Sequence, residues 1–205
     1  MVATSLLAAK LIQEIRPRFI VMPGICAGIQ GKAQLGDVLL ADTSWNWQSG
    51  KHSADELGPY FAAAPHPLHI PEFVRSRGNA LRQDRALMTR IKHDFQGERP
   101  AEDLNLRVGP VASGSAVLAD EAIVKEIQKH ERTLLGIEME IYGVYAAAAY
   151  ASFPRPTAFA MKAVCDFGTK VKDDKYQTYA AYTSAQLVRE FLERYLCEMH
   201  HLAGT

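Results

Sequence analysis

The sequence predicts an α/β domain in which a mixed central β-sheet is flanked by helices. Two observations carry this expectation. Short apolar runs of strand length recur along the chain, and amphipathic or Ala-rich helical stretches fall between and after them. The 205 residues suit a single core, and neither an internal repeat nor a low-complexity linker divides them.

The elements follow in order. Ala3, Leu7, Leu11 and Ile15 recur every four residues, which predicts an amphipathic helix with these four on its apolar face and Pro17 at its end. Phe19 to Met22 is a short continuous apolar run and predicts a strand buried on both faces, flowing into a turn of small residues from Pro23 to Gly28. Further strands are expected over 37–41, 104–111 and 157–164. Helices are expected over 72–93, 120–130 and 140–150, with a long closing one from about Tyr176 to Met199. The stretch from Trp45 to Pro71 is rich in His, Pro and aromatics and reads as a long functional or interface loop. Because the chain opens on a helix where such sheets open on a strand, elements ahead of residue 1 are expected to be missing.

Composition excludes several classes of function. Apolar residues make up 48% of the chain, which is ordinary for a globular protein and too many for a disordered one. Lys+Arg and Asp+Glu are both 23, so a nucleic-acid or membrane-surface partner is not expected. No apolar run approaches the roughly 18 residues of a membrane helix, and the opening residues lack the basic start of a secretory signal. Cys26, Cys165 and Cys197 are too few and too far apart for a disulfide framework and read as reduced thiols of a cytoplasmic protein.

Three segments could carry chemistry, because open α/β sheets bind ligands at the carboxyl ends of their strands. The first is Gly24 to Gly28, where small side chains let a planar ligand approach the backbone; a tight turn needing glycine dihedrals explains it equally simply. The second is Glu138-Met139-Glu140. A carboxylate can accept two hydrogen bonds at once and so hold a vicinal diol, while the plain alternative makes both glutamates solvated acids at a helix start. The third is Asp166, directly after an apolar strand. Apolar neighbours favour its protonated form, as a general acid requires, whereas the alternative is a cap or turn aspartate.

Together these segments resemble the purine nucleoside phosphorylase/nucleosidase superfamily, and most of all its methylthioadenosine/S-adenosylhomocysteine nucleosidases. The motifs are GICAG at 24–28, LGDVLLA at 35–41, SGSAVLAD at 113–120, GIEMEIYGVYAAA at 136–148 and AVCDF at 163–167, in the family's order. The resemblance implies that Asp166 donates a proton to the purine, that Glu140 grips the ribose hydroxyls and that Met139 packs on the sugar. It further implies that Val117, Leu118, Cys26, Ala27 and Cys165 line the base, with Phe167 as a desolvating neighbour of the acid.

Ile25 stands where the phosphorylases carry a phosphate-binding serine, so water is the expected nucleophile and a nucleosidase the expected activity. Phosphorolysis, or a catalytically inactive nucleoside-binding module, are the alternatives. The expected ligand is a purine nucleoside or nucleotide, with neither cofactor nor metal, in a homo-oligomer of two or more chains. The family's first strands, which supply a further glutamate, have no counterpart in residues 1–205, so the domain is expected to be N-terminally incomplete.

Other features have plainer readings. His66 and His69 lack partners with ligand spacing and belong to a surface loop. Residues 72–93 carry six basic side chains against two acids, Glu72 and Asp84; they form a solvated face or a subunit contact, or alternatively receive the phosphates of a nucleotide. Trp45, Trp47, Tyr60 and Phe61 are candidates for a cover over the site, for a dimer contact or for core packing.

Overall fold

The computed structural model describes residues 1–55, 58–116, 121–168 and 174–202. Its strands are β1 (Phe19–Gly28), β2 (Val38–Asn46), β3 (Gly50–Asp55), β4 (Gly58–Ala63), β5 (Leu68–His69), β6 (Leu106–Ser113), β7 (Gly136–Glu138) and β8 (Thr157–Asp166). The helices are α1 (Val2–Ile15), α2 (Glu72–Leu81), α3 (Arg85–Asp94), α4 (Glu121–His130), α5 (Ile141–Ala149) and α6 (Gln177–Leu202). Six strands form one mixed sheet in the order β5-β2-β6-β7-β1-β8, and β2 also pairs antiparallel with β8, which curls the sheet back on itself. The predicted mixed α/β architecture is what forms.

The core lies between this sheet and α5 and α6. Leu39, Leu40, Phe159 and Met161 present no surface to solvent, and the Phe159 ring meets that of Phe191 on α6 in a tilted contact, centroids 5.2 Å apart. Tyr145 fastens α5 to the sheet, donating its hydroxyl proton to the Ala41 carbonyl (2.7 Å) and accepting the Ala160 N–H (3.1 Å). Asp37 is fully buried. Its carboxylate accepts the Gln34 N–H (3.0 Å), both the backbone and side-chain N–H groups of Asn105 (3.1 Å each) and Nε of Arg107 (2.5 Å), so four donors offset its desolvation.

Four local expectations need correcting. Pro23 to Gly28 is not a turn. It continues β1, in parallel register from Phe19↔Thr157 to Cys26↔Val164, because small side chains suit a strand packed closely against a neighbour. Phe19 to Met22 are half-buried rather than enclosed, since among the described residues no strand pairs with them on the side away from β8; β7 joins only at Ala27 and Gly28. The stretch after Trp45 is largely a hairpin, β3 on β4, followed by β5, so much of its backbone bonding is met by strand pairing.

The fourth concerns α1. Its four-residue stripe of Ala3, Leu7, Leu11 and Ile15 points outward, and Ala8 and Ile12 are buried instead. The helix lies close on α5 at Gly143, where a Cβ would come within 2.6 Å of Ser5 Oγ, a fit the apolar spacing does not express.

Asp37 provides a test of the fold. Replacing it by alanine strands the Arg107 guanidinium and three backbone or amide donors, so urea denaturation of Asp37→Ala should show a loss of about 3–5 kcal/mol. A loss near zero would mean that water replaces the carboxylate.

Candidate active site

A cleft of about 450 Å³ opens at the carboxyl ends of β1, β7 and β8. Its walls are Gly24 to Ala27 from β1, Ile137 to Glu140 from β7 and the start of α5, Lys162, Cys165 and Asp166 from β8, and Gln177 at the start of α6. Strand geometry explains the convergence. The β1–β8 register shifts by one residue between Cys26 and Ala27, so Ala27 faces Asp166 and Cys165 is the extra residue. Such a bulge bends the strand and re-aims the side chains after it.

Asp166 is half-buried. Its Oδ1 accepts the Gly168 N–H at 2.7 Å, across a turn whose glycine has φ of +64°, and its Oδ2 lies 3.5 Å from the Cys165 thiol. It is therefore a turn aspartate and a wall of the cleft at once; the enclosure by apolar neighbours expected of it is only partial. Cys26 and Cys165 are both buried, and burial pushes the Cys26 thiol well up, so it stays a neutral lining group.

The Glu-Met-Glu segment divides into two unlike acids. Glu138 is buried and caps α5. It accepts the backbone N–H groups of Glu140 (2.8 Å) and Ile141 (3.0 Å) and the hydroxyl proton of Ser113, whose Oγ lies 3.1 Å from that of Ser44 and accepts the Tyr142 N–H (2.9 Å). The solvated-acid reading thus fails for Glu138. Glu140 is half-buried and lines the cleft, its Oε2 accepting from Lys162 Nζ at 2.8 Å.

Lys162 is the residue that sequence reasoning passed over. It lies within the apolar strand β8, its side chain 6% exposed, with Glu140 on one side and Glu138 at 3.4 Å on the other. A lone lysine inside a run of buried strand residues was the available signal. Gly24 makes room for it: a Cβ there would come within 3.0 Å of Nζ.

Burial opposes charge on all three groups. For Lys162 it is outweighed by the two carboxylates, which hold the ammonium above its usual value. For Glu140 it is outweighed by the hydrogen bond and charge of Lys162, which hold that carboxyl below the usual range. For deeper Glu138 burial prevails and pushes its carboxyl up.

Of the expected site residues, Cys26, Ala27, Met139, Glu140, Cys165 and Asp166 meet at this one cleft. Phe167 does not. The chain turns after Asp166, and the ring packs on the core and borders a different hollow, lined by Gln30 to Leu35. Val117 and Leu118 lie outside the described residues.

The basic stretch is occupied elsewhere and lines no part of the cleft. Arg77 pairs with Glu198, Arg90 with Glu190 at 2.7 Å, and Lys92 donates to the carbonyls of Ala101 and Glu102. Trp47 and Phe61 border a separate apolar hollow against α4, and Trp45 is buried. His69 is held by Thr43, Nδ1 to Oγ1 at 3.0 Å.

Lys162→Met should cost about 3–5 kcal/mol at neutral pH, because it leaves two neighbouring carboxylates without their cation. Those carboxyls would then titrate higher in the folded than in the unfolded chain, so their protonated forms stabilise at low pH and that contribution is lost as pH rises. The deficit should therefore shrink on acidification, which denaturant titrations at pH 5 and 7.5 measure.

The comparisons with known proteins agree with this geometry. Residues 1–199 match the family described as the phosphorylase superfamily. The uncharacterized protein y4jS of Sinorhizobium fredii is 32% identical over 194 residues, 95% of this chain and 47% of that protein. ATP nucleosidase Cap17 of Escherichia coli is 26% identical over 208 residues, 94% of this chain and 39% of that one. The chain thus spans less than half the length of these curated relatives.

Among solved structures, a 5′-methylthioadenosine/S-adenosylhomocysteine nucleosidase from Neisseria meningitidis in complex with methylthio-immucillin-A superposes with a TM-score of 0.69 at 18% identity, over 94% of this chain and 77% of that one. Futalosine hydrolase of Helicobacter pylori gives a TM-score of 0.71 at 13% identity, over 94% and 75%. Likeness at these identities establishes a shared fold.

Proposed function

Because the chain belongs to the phosphorylase superfamily, we propose that it is a purine nucleosidase that hydrolyses the N-glycosidic bond of an adenine nucleoside or nucleotide. The observation that carries this reading is the meeting of Asp166, Met139 and Glu140 in one cleft at the strand ends. Asp166 serves as the general acid. A purine anion leaves poorly, and a proton delivered to the base as the glycosidic bond breaks lets it depart neutral while the sugar takes on oxocarbenium character. Glu140 holds the ribose hydroxyls: Lys162 keeps it ionised and engages one oxygen, which leaves the other to accept from the sugar. Met139 supplies an apolar surface beside the ring. The names of Cap17 and of the structural relatives as nucleosidases support the same reaction class.

Water is the nucleophile in this reading. An anion such as phosphate is held by free backbone N–H groups or spare cations. Here the Gly24 N–H is donated to Ser184 Oγ (2.8 Å), residues 24–26 are paired along β8, and the described cation of the cleft, Lys162, is bracketed by two carboxylates. We further read the protein as a cytoplasmic assembly of more than one copy; that no disulfide joins Cys26, Cys165 and Cys197 is in keeping with that compartment. Among the described residues no helix is long and apolar enough to cross a membrane.

Adenine release from a panel of adenine nucleosides and nucleotides, with and without phosphate, tests the activity; ribose 1-phosphate among the products would refute the hydrolytic step. Asp166→Asn should lower kcat by at least about 100-fold while ligand affinity stays within about tenfold, since the amide keeps the shape and loses the proton. Glu140→Gln should weaken ribose-bearing ligands by about 10- to 100-fold, the worth of a hydrogen bond to a charged group, and leave free adenine nearly unaffected. Calorimetric titration with adenosine and adenine separates the two, and an equal loss for both would remove Glu140 from the sugar.

A further inference from the structure

Two of the three cysteines of the chain stand at the same place. Cys26 on β1 and Cys165 on β8 both wall the cleft, and each is buried. The two strands are parallel neighbours, and their register shift leaves Cys165 as the extra residue between the pairs Cys26↔Val164 and Ala27↔Asp166. Neighbouring strands lie about 4.8 Å apart, so an offset of one residue puts the two Cα atoms roughly 5–6 Å apart, within the ~4.4–6.8 Å that a disulfide spans. The side chains agree with the backbone. The Cys165 thiol lies 3.5 Å from the Cys26 carbonyl oxygen, and after burial it is Cys165 that does most to hold the Cys26 thiol up.

We propose that Cys26 and Cys165 are a modification site, where an oxidant of the peroxide class entering the cleft joins them in a reversible disulfide between β1 and β8. Cys197 is exposed on α6, lines no part of the cleft and takes no part in the bond.

The neighbouring acid prepares the first step. Asp166 Oδ2 lies 3.5 Å from the Cys165 sulfur and accepts the thiol proton, which makes that sulfur the nucleophile. It attacks one oxygen of hydrogen peroxide: the S–O bond forms, the O–O bond breaks, and the departing hydroxide takes the proton from Asp166 and leaves as water. Cys26, kept neutral by burial, is the resolving thiol. Its sulfur attacks the sulfenic sulfur, the S–S bond forms, the S–O bond breaks, and hydroxide leaves as a second water with the Cys26 proton. Two thiols are oxidised and one peroxide is reduced to two waters. The bond draws the Cys165 sulfur off Asp166 and fixes both sulfurs beside the small-residue segment of β1, so a planar ligand loses its approach. That consequence rests on the nucleosidase reading of this cleft, whereas the bond itself does not.

In a Cys197→Ser background, a small excess of hydrogen peroxide should consume both remaining thiols, lower the intact mass by two hydrogens and give a peptide pair linking residues 26 and 165. Dithiothreitol should reverse all three. Calorimetric titration should show adenine bound at least about tenfold more weakly after oxidation and regained on reduction. With Cys26→Ala added, the reaction should stop at the Cys165 sulfenic acid, which dimedone captures. Surviving thiols, or sulfinic acids without a link, would overturn the proposal, and a link that leaves adenine binding unchanged would overturn its effect on the site. A reduced protein that binds no adenine would fault the nucleosidase reading, while the peptide map still decides the disulfide.

Discussion

The site depends on one buried cation. Lys162 lies beneath the cleft with Glu138 and Glu140 on either side, and each of the three is arranged around the other two. A buried ammonium is unfavourable unless it is paired, and two carboxylates a residue apart repel unless a cation lies between them. The triad meets both demands. It also ties β8 to the start of α5, so the segment bearing Met139 and Glu140 is held against the strand that ends in Asp166. Gly24 on β1 is shaped to this arrangement, because a side chain at that position would press on the ammonium.

Around the triad the protein separates the acids that fasten the fold from those that face the cleft. Glu138, Ser113 and Ser44 form an enclosed polar chain that closes the first turn of α5, and Tyr145 fastens the same helix to β2 and β8. Glu140 and Asp166 face the cleft instead and keep carboxylate oxygens available there. A helix fixed at its first turn and a strand fixed by its register can hold two acids in place without either acid giving all its bonding capacity to the fold. Preorganisation of this kind, in a site walled by half-buried and buried groups, makes individual hydrogen bonds count for more than they do in water.

Much of this was legible from residue order. The apolar runs located β2, β6 and β8, the helical patterns located α4, α5 and α6, and the Gly-Ile-Cys-Ala-Gly, Glu-Met-Glu and Cys-Asp elements placed six of the expected residues at the cleft. The misreadings share a cause. Apolar spacing reports that a face is hydrophobic but not what covers it, so Leu7, Leu11 and Ile15 mark an apolar face of α1 that nevertheless points outward. Small residues suit a turn and a tightly packed strand equally well, so the extension of β1 through Gly28 was hidden until its partner β8 was known. Phe167 follows the acid in sequence yet faces another hollow, because the chain turns at Gly168.

The sequence by itself determined the α/β class, the apolar strands β2, β6 and β8 with the helices α4 to α6, and the two acids, Glu140 and Asp166, singled out as candidates. Those properties are local: they reside in periodicity and in the residue types of short segments. Only the tertiary structure decided that Lys162 belongs with Glu138 and Glu140, and that Glu138 fastens a helix while Glu140 faces the cleft. The lysine is 22 and 24 positions away from its partners, and its charge is tolerable inside a strand only because folding brings the carboxylates to it. A buried charge is defined by what surrounds it, and the surroundings are made by contacts between segments that residue order does not contain.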